Sequence, residues 1–177
     1  MNRKIIISSF VVLAVFLASH FISRGYDNTS VGDQSFSDQL RIITILIPEN
    51  LSEYVKAVDE YVSVGGINPS DDWKFVEKKI ATTFDSGFDL IRTSADLAAK
   101  QLGTGGGPEH ASVSYLKIQN KVAYVVLNID LDGWAGVSFS IAKIHPIVEK
   151  TLLQFPSIKS VKFEFAPGDS VNDMKSV

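Results

Sequence analysis

Cysteine is absent from the 177 residues, which excludes disulfides, thiolate metal sites, cysteine nucleophiles and a lipid-modified N-terminal cysteine. The absence says nothing about redox compartment, because exported proteins often do without disulfides. Histidine is scarce too, with three in the chain, and only His110 and His145 fall in the part that reads as folded. No His-Glu-x-x-His pair and no Gly-x-Ser-x-Gly elbow occurs, so neither a zinc-protease nor an α/β-hydrolase signature is present. Basic charge is the third shortage. From residue 25 onward the chain holds 14 Lys and Arg against 20 Asp and Glu, a net −6, where the whole chain is −3. A domain of that sign is a poor candidate for nucleic acid, or for anionic lipid, through its net field. What is plentiful is apolar side chain: 45% of residues are hydrophobic, enough to build a core.

The one long apolar run is residues 5–22, behind Arg3 and Lys4. Eighteen residues is the lower edge of what spans a bilayer as a helix, and long for the core of a cleaved signal. Leu17-Ala18-Ser19 makes a mediocre cleavage site. Residues 1–24 therefore read as an uncleaved signal anchor in preference to a signal peptide. Either way the basic flank stays in the cytoplasm and the remainder lies outside it, cell-membrane-anchored and single-pass, or secreted if cleaved. Residues 25–39, rich in Gly, Asp, Asn and Ser, read as a flexible linker.

From residue 40 the apolar pattern predicts an α+β single domain over 40–167, in the order β-α-β-α-β-β-α-β behind the N-terminal hydrophobic helix. Residues 40–47 form an apolar strand stopped by Pro48. Leu51, Val55, Val58 and Val62 recur at helical spacing up to Gly65-Gly66. Residues 73–82 alternate with charge on both faces, as an edge strand does. Asp85 or Ser86 can cap a second helix with Phe88, Ile91, Ala95, Leu97, Ala98 and Leu102 inward. Residues 112–118 and 122–130 read as strands joined by a tight hairpin in which Asn120 tolerates positive φ. A helix covers 137–154, kinked or divided by Pro146. A strand over 158–165 turns Val161, Phe163 and Phe165 inward, and 168–177 is a polar tail. The expected sheet is mixed and mostly antiparallel, with helices packed on it.

Several of these segments carry a resemblance. Leu97 to Gly103 (LAAKQLG) precedes a Gly107-Pro108 turn, and the 113–128 hairpin leads into a V-x-x-V-x-L strand. Thr151 to Pro156 (TLLQFP) is followed by IKSVKF. In this order they resemble the GerMN domain of bacterial envelope and sporulation proteins, over roughly residues 40–166. The chain departs from that family in a longer first helix and in lacking the lipobox cysteine of many relatives. The resemblance implies assembly or binding without catalysis. It implies as partner another envelope or sporulation protein, or peptidoglycan, and leaves homo-oligomerisation open.

The chemistry-bearing stretches read modestly beside it. Gly103 to Gly107 follows a helix instead of a strand and lacks the Lys-Ser or Lys-Thr of a phosphate loop, so it is a helix stop. Asn128-Ile129-Asp130-Leu131-Asp132-Gly133 starts like a calcium loop, but its twelfth position is Phe139 where a glutamate belongs. It reads as a turn, with a weak calcium site as the alternative. No cofactor is expected. Trp134, a large aromatic in a loop, is the first binding candidate, with Asp130, Asp132 and Asn120 beside it. The rival expectation is a secreted cell-wall hydrolase or sugar-binding accessory module using Trp134 and Asp130 or Asp132. A hydrolase requires His110 or His145 to converge with acids, and a binding module requires an exposed apolar or aromatic patch.

Overall fold

The computed structural model describes residues 40–83, 87–102, 111–132 and 137–174. The anchor and linker expected over 1–39, the cap at Asp85 or Ser86, the 103–107 glycines, His110 and Trp134 lie outside the described residues.

The architecture is α+β. β1 (Leu40–Pro48) and β2 (Phe75–Thr83) pair antiparallel in unbroken register, Leu40 opposite Thr83 and Pro48 opposite Phe75. Between them runs α1 (Leu51–Val64). The Asn50 side chain caps it by accepting from the Glu53 N–H at 3.3 Å, and Gly65 ends it at φ 80°, a left-handed turn that glycine takes without a Cβ penalty. Trp73, expected to open the second strand, lies just before β2 and packs edge-on against the buried Tyr54, ring centroids 5.5 Å apart.

α2 (Gly87–Ala99) leads to a hairpin of β3 (Val113–Gln119) and β4 (Val122–Leu127). The hairpin turn is two residues long, with Asn120 at φ 53° and Lys121 at φ 64°. Two positive φ values match the type I′ turn that suits the twist of paired strands. A one-turn helix, α3 (Asn128–Leu131), comes next, then α4 (Val137–Leu152), a short β5 (Ser160–Lys162) and a 3₁₀ turn at Val171–Asp173.

α2 and α4 pack against each other, and both reach β1. α2 also meets β3, and α4 meets β5. Ala95, Ala98 and Ala99 on α2 are fully buried, small side chains that let neighbouring elements approach closely. α4 continues through Pro146 as one helix. Proline supplies no N–H to the helix ladder, and close by the Tyr54 hydroxyl donates to the Lys143 carbonyl at 3.0 Å.

The strands form two sheets where one was expected: β1–β2, and β3–β4–β5 with β5 parallel to β4. Helix side chains occupy edge positions that a further strand would need. The Leu46 N–H donates to Thr151 Oγ1 of α4 at 3.0 Å. On β3, the Val113 N–H donates to Asp96 Oδ1 at 3.0 Å while Arg92 Nη2 donates to the Val113 carbonyl at 2.6 Å.

The last strand is shorter than its alternation predicts. Only Ser160–Lys162 pairs, entered by the Lys159 N–H donating to the Lys121 carbonyl at 2.7 Å. The chain bends after Lys162, so equal spacing no longer means one face. Val161 and Phe163 join the main core, whereas Phe165 packs on Tyr115 in a second cluster with Tyr124, Val126, Ala166 and Met174. β4 is thereby buried on both faces, which accounts for its uninterrupted apolar sequence VAYVVL. The stretch read as a polar tail folds back, as far as residue 174, over the three-stranded sheet.

Candidate functional site

A dense polar group sits where β4 gives way to α3. Residues 122–130 were expected to run as one strand, but extended pairing stops at Leu127. The reason is local. Asp130 Oδ2 accepts from the Leu127 N–H at 2.8 Å, and the Asn128 N–H donates to the Ser112 carbonyl at 2.9 Å. Side chains of this kind compete with strand ladders for backbone groups, and here they wind the chain into one helical turn.

That turn aims Asp130 inward. Its Oδ1 lies 2.6 Å from His145 Nε2, a hydrogen bond that ties α3 to α4. Asp130 and His145 are 13% and 19% exposed at their side chains. The imidazole stacks on Phe163, with centroids 3.5 Å apart and planes 7° from parallel. On the β3 side, Ser114 Oγ hydrogen-bonds to Asn128 Oδ1, and Asn128 Nδ2 donates to Ser112 Oγ at 2.6 Å. Four segments thus meet: the start of β3, α3, α4 and the stretch after β5.

An aspartate bonded to histidine is the orienting half of a hydrolytic triad. The half that attacks has no match here. Both neighbouring serines bond to Asn128, and among the described residues no hydroxyl bonds to His145. Both Asp130 oxygens are occupied, one by a backbone N–H and one by the imidazole. Among the described residues no group of three or more His, Asp and Glu side chains is placed to hold a metal ion.

The predicted site residues therefore separate. Asp130 is drawn into the His145 pair. Asp132 follows α3, half-buried, with its N–H donating to the Ile129 carbonyl at 3.3 Å. Asn120 is exposed at the hairpin turn, at the opposite end of β4. The sequence posed a meeting of His145 with an acid only as the requirement of a hydrolase, and held no sign of Phe163. Asp130, His145 and Phe163 are separated by 15 and 18 positions, and no spacing rule links them.

A second polar cluster fastens the C-terminal segment. The Tyr115 hydroxyl donates to Asp169 Oδ2 at 2.7 Å, and Lys117 Nζ donates to both Asp169 oxygens at 3.0 and 2.7 Å. The Ala166 N–H donates to the Tyr115 oxygen at 3.3 Å. Burial first, and the Asp169 carboxylate second, push the Tyr115 hydroxyl up to about 12. The Lys117 and Tyr115 hydrogen bonds hold the Asp169 carboxyl below its ordinary 3.8.

No protein-family profile, curated protein or solved structure matches this chain.

Proposed function

We propose that this chain is a non-enzymatic, membrane-anchored extracytoplasmic domain of GerMN-like type that binds or assembles with another envelope or sporulation protein, or with the cell wall. The observation that carries the reading is how the polar side chains around Asp130 are used. Ser112, Ser114, Asn128, Asp130 and His145 bond to one another and to the backbone, fastening four segments together. Among the described residues no helix is long and apolar enough to cross a membrane; the apolar run of 5–22 lies outside them. Proximity crosslinking on envelope membranes, comparing the native chain with Trp134→Ala, tests the reading. Capture of one defined partner that the variant loses supports it, and absence of any partner together with release of product from purified cell wall overturns it.

One observation favours the hydrolase: the 2.6 Å contact between His145 and Asp130. In that case His145→Gln abolishes product release while thermal unfolding stays cooperative. If His145 only fastens α3 to α4, the variant lowers the unfolding temperature and changes no reaction.

A further inference from the structure

The two sheets treat their edges differently. Val113 of β3 is closed by Arg92 and Asp96, and Leu46 of β1 by Thr151. α2 and α4 run along β1 rather than β2. That leaves β2, nine residues long, as an open edge: among the described residues no hydrogen bond from another element reaches its backbone between Phe75 and Thr82.

Its direction can be worked out. The Glu49 N–H donates to the Lys74 carbonyl at 3.0 Å, so positions 49 and 74 are a bonded pair continuing the ladder. Antiparallel pairs alternate between bonded and non-bonded. Residues 76, 78, 80 and 82 therefore point their backbone groups at β1, and Phe75, Glu77, Lys79 and Ala81 point theirs outward. The same alternation turns Leu46 away from β2, where its N–H meets Thr151, and gives Pro48 a position needing no donor toward β2.

Charge selects what can add to this edge. Glu77, Lys78 and Lys79 are all exposed at its centre. Lys78 reaches Gln101 at 2.6 Å, on the face that carries Ile43 and Ile45; Glu77 and Lys79 lie on the other face. Lys74, beyond the strand's start, pairs with Glu49 at 2.5 Å, and Lys150 sits 5.0 Å over the Phe75 ring. A second copy could join antiparallel only about a two-fold axis normal to the sheet, which sets residues of the same face opposite each other. Centred on 77 or 79, that pairing puts the central charge against itself; centred on 78 it sets Lys78 against Lys78 while Glu77 meets Lys79. Each register thus carries a like-charge pair at its centre, and like charges directly opposite are destabilising. Edge lysines guard against such self-pairing. A foreign strand with two consecutive acidic residues meets no such penalty, because it offers one carboxylate to each face, to Lys78 and to Lys79.

We propose that β2 is a strand-addition site for an extended segment of a partner protein carrying two consecutive acidic residues, bonded to the outward groups of Phe75, Glu77, Lys79 and Ala81. This names the partner chemistry for the binding reading above.

The test uses the full chain in detergent and a labelled nine-residue peptide rich in Val and Thr with Asp-Asp at its centre. Saturable binding is expected, with slowed amide exchange at Glu77, Lys79 and Ala81. Ala81→Pro removes an outward N–H that β1 does not use, as edge strands tolerate, and should weaken binding about fivefold to tenfold, the size of one hydrogen bond. Lys79→Glu, which leaves the backbone intact, should weaken it at least as much. No binding overturns the proposal. So does equal binding of a Lys-Lys peptide, or of a Gly-rich peptide of the same charge that does not extend. A partner captured through Trp134 while the peptide fails leaves the binding reading standing without this site.

Discussion

β1 of the β1–β2 ribbon and β4 of the β3–β4–β5 sheet are both strongly apolar strands and end in opposite situations. β4 has Ala123, Val125 and Leu127 in the main core and Tyr124 and Val126 under the C-terminal segment. The ribbon buries Ile43 and Ile45 but leaves Leu40 and Ile42 about as open as any surface residue, at 73% and 70% exposure. Apolar sequence alone does not tell these cases apart. What separates them is whether another part of the chain returns to cover the second face. The sheet that is covered twice is the anchor of the fold, and the ribbon, covered once among the described residues, presents surface.

The sharpest way to break this contrast is to truncate one residue in each. Leu127→Ala, at a fully buried position, should cost about 2–5 kcal/mol in urea unfolding. Ile42→Thr on the open face should stay within about 0.5 kcal/mol. Equal losses at the two sites would mean that the ribbon's outer face is covered in solution.

The link between ribbon and helices comes next. Thr151→Val keeps the shape and removes the oxygen that receives the Leu46 N–H, leaving that donor without its partner. A loss of about 1–3 kcal/mol is expected, together with faster amide exchange at Leu46. If exchange there is unchanged, water already supplies the bond.

The hairpin should respond in the other direction. Lys121→Gly relieves a side chain held at φ 64° and should raise stability by about 0.5–1 kcal/mol, since the second position of a type I′ turn favours glycine.

The smallest effect is electrostatic. The carboxyl of Asp169 titrates below its ordinary 3.8 when folded, so its ion pair stabilises the fold above that pH and stops doing so as pH falls through the folded value. The native chain should exceed Asp169→Asn in stability at neutral pH and lose that margin below about pH 3.8. A margin that persists in acid would assign the effect to packing. At the alkaline end the sign reverses. Tyr115, raised to about 12 from 10.0, contributes stability that is lost as pH climbs between those values.

Much of this fold was legible. The strand over 40–47, the helix beyond Pro48, the Asn120 hairpin and the helix over Pro146 all follow from spacing and turn chemistry, which act within a few residues. The departures share one cause. β4 ends early because Asp130 and Asn128 bind nearby backbone, a choice made only when Ser112 and His145 are in place. The final strand shrinks to three residues because Phe165 finds Tyr115. Of the binding residues expected, Asp130 became part of an internal pair, and Asn120 stands at the far end of the strand.

The sequence by itself determined the succession of elements, the absence of thiol chemistry and the acidic balance of the domain, because periodicity, composition and turn preference are local properties. Only the tertiary structure decided that Asp130 meets His145 over Phe163, that Asp169 ties the C-terminal segment to β3, and that β2 keeps an open edge among the described residues. Each of those depends on which distant segment arrives within hydrogen-bond reach, and a bond about 3 Å long between residues many positions apart leaves no period in the chain to read.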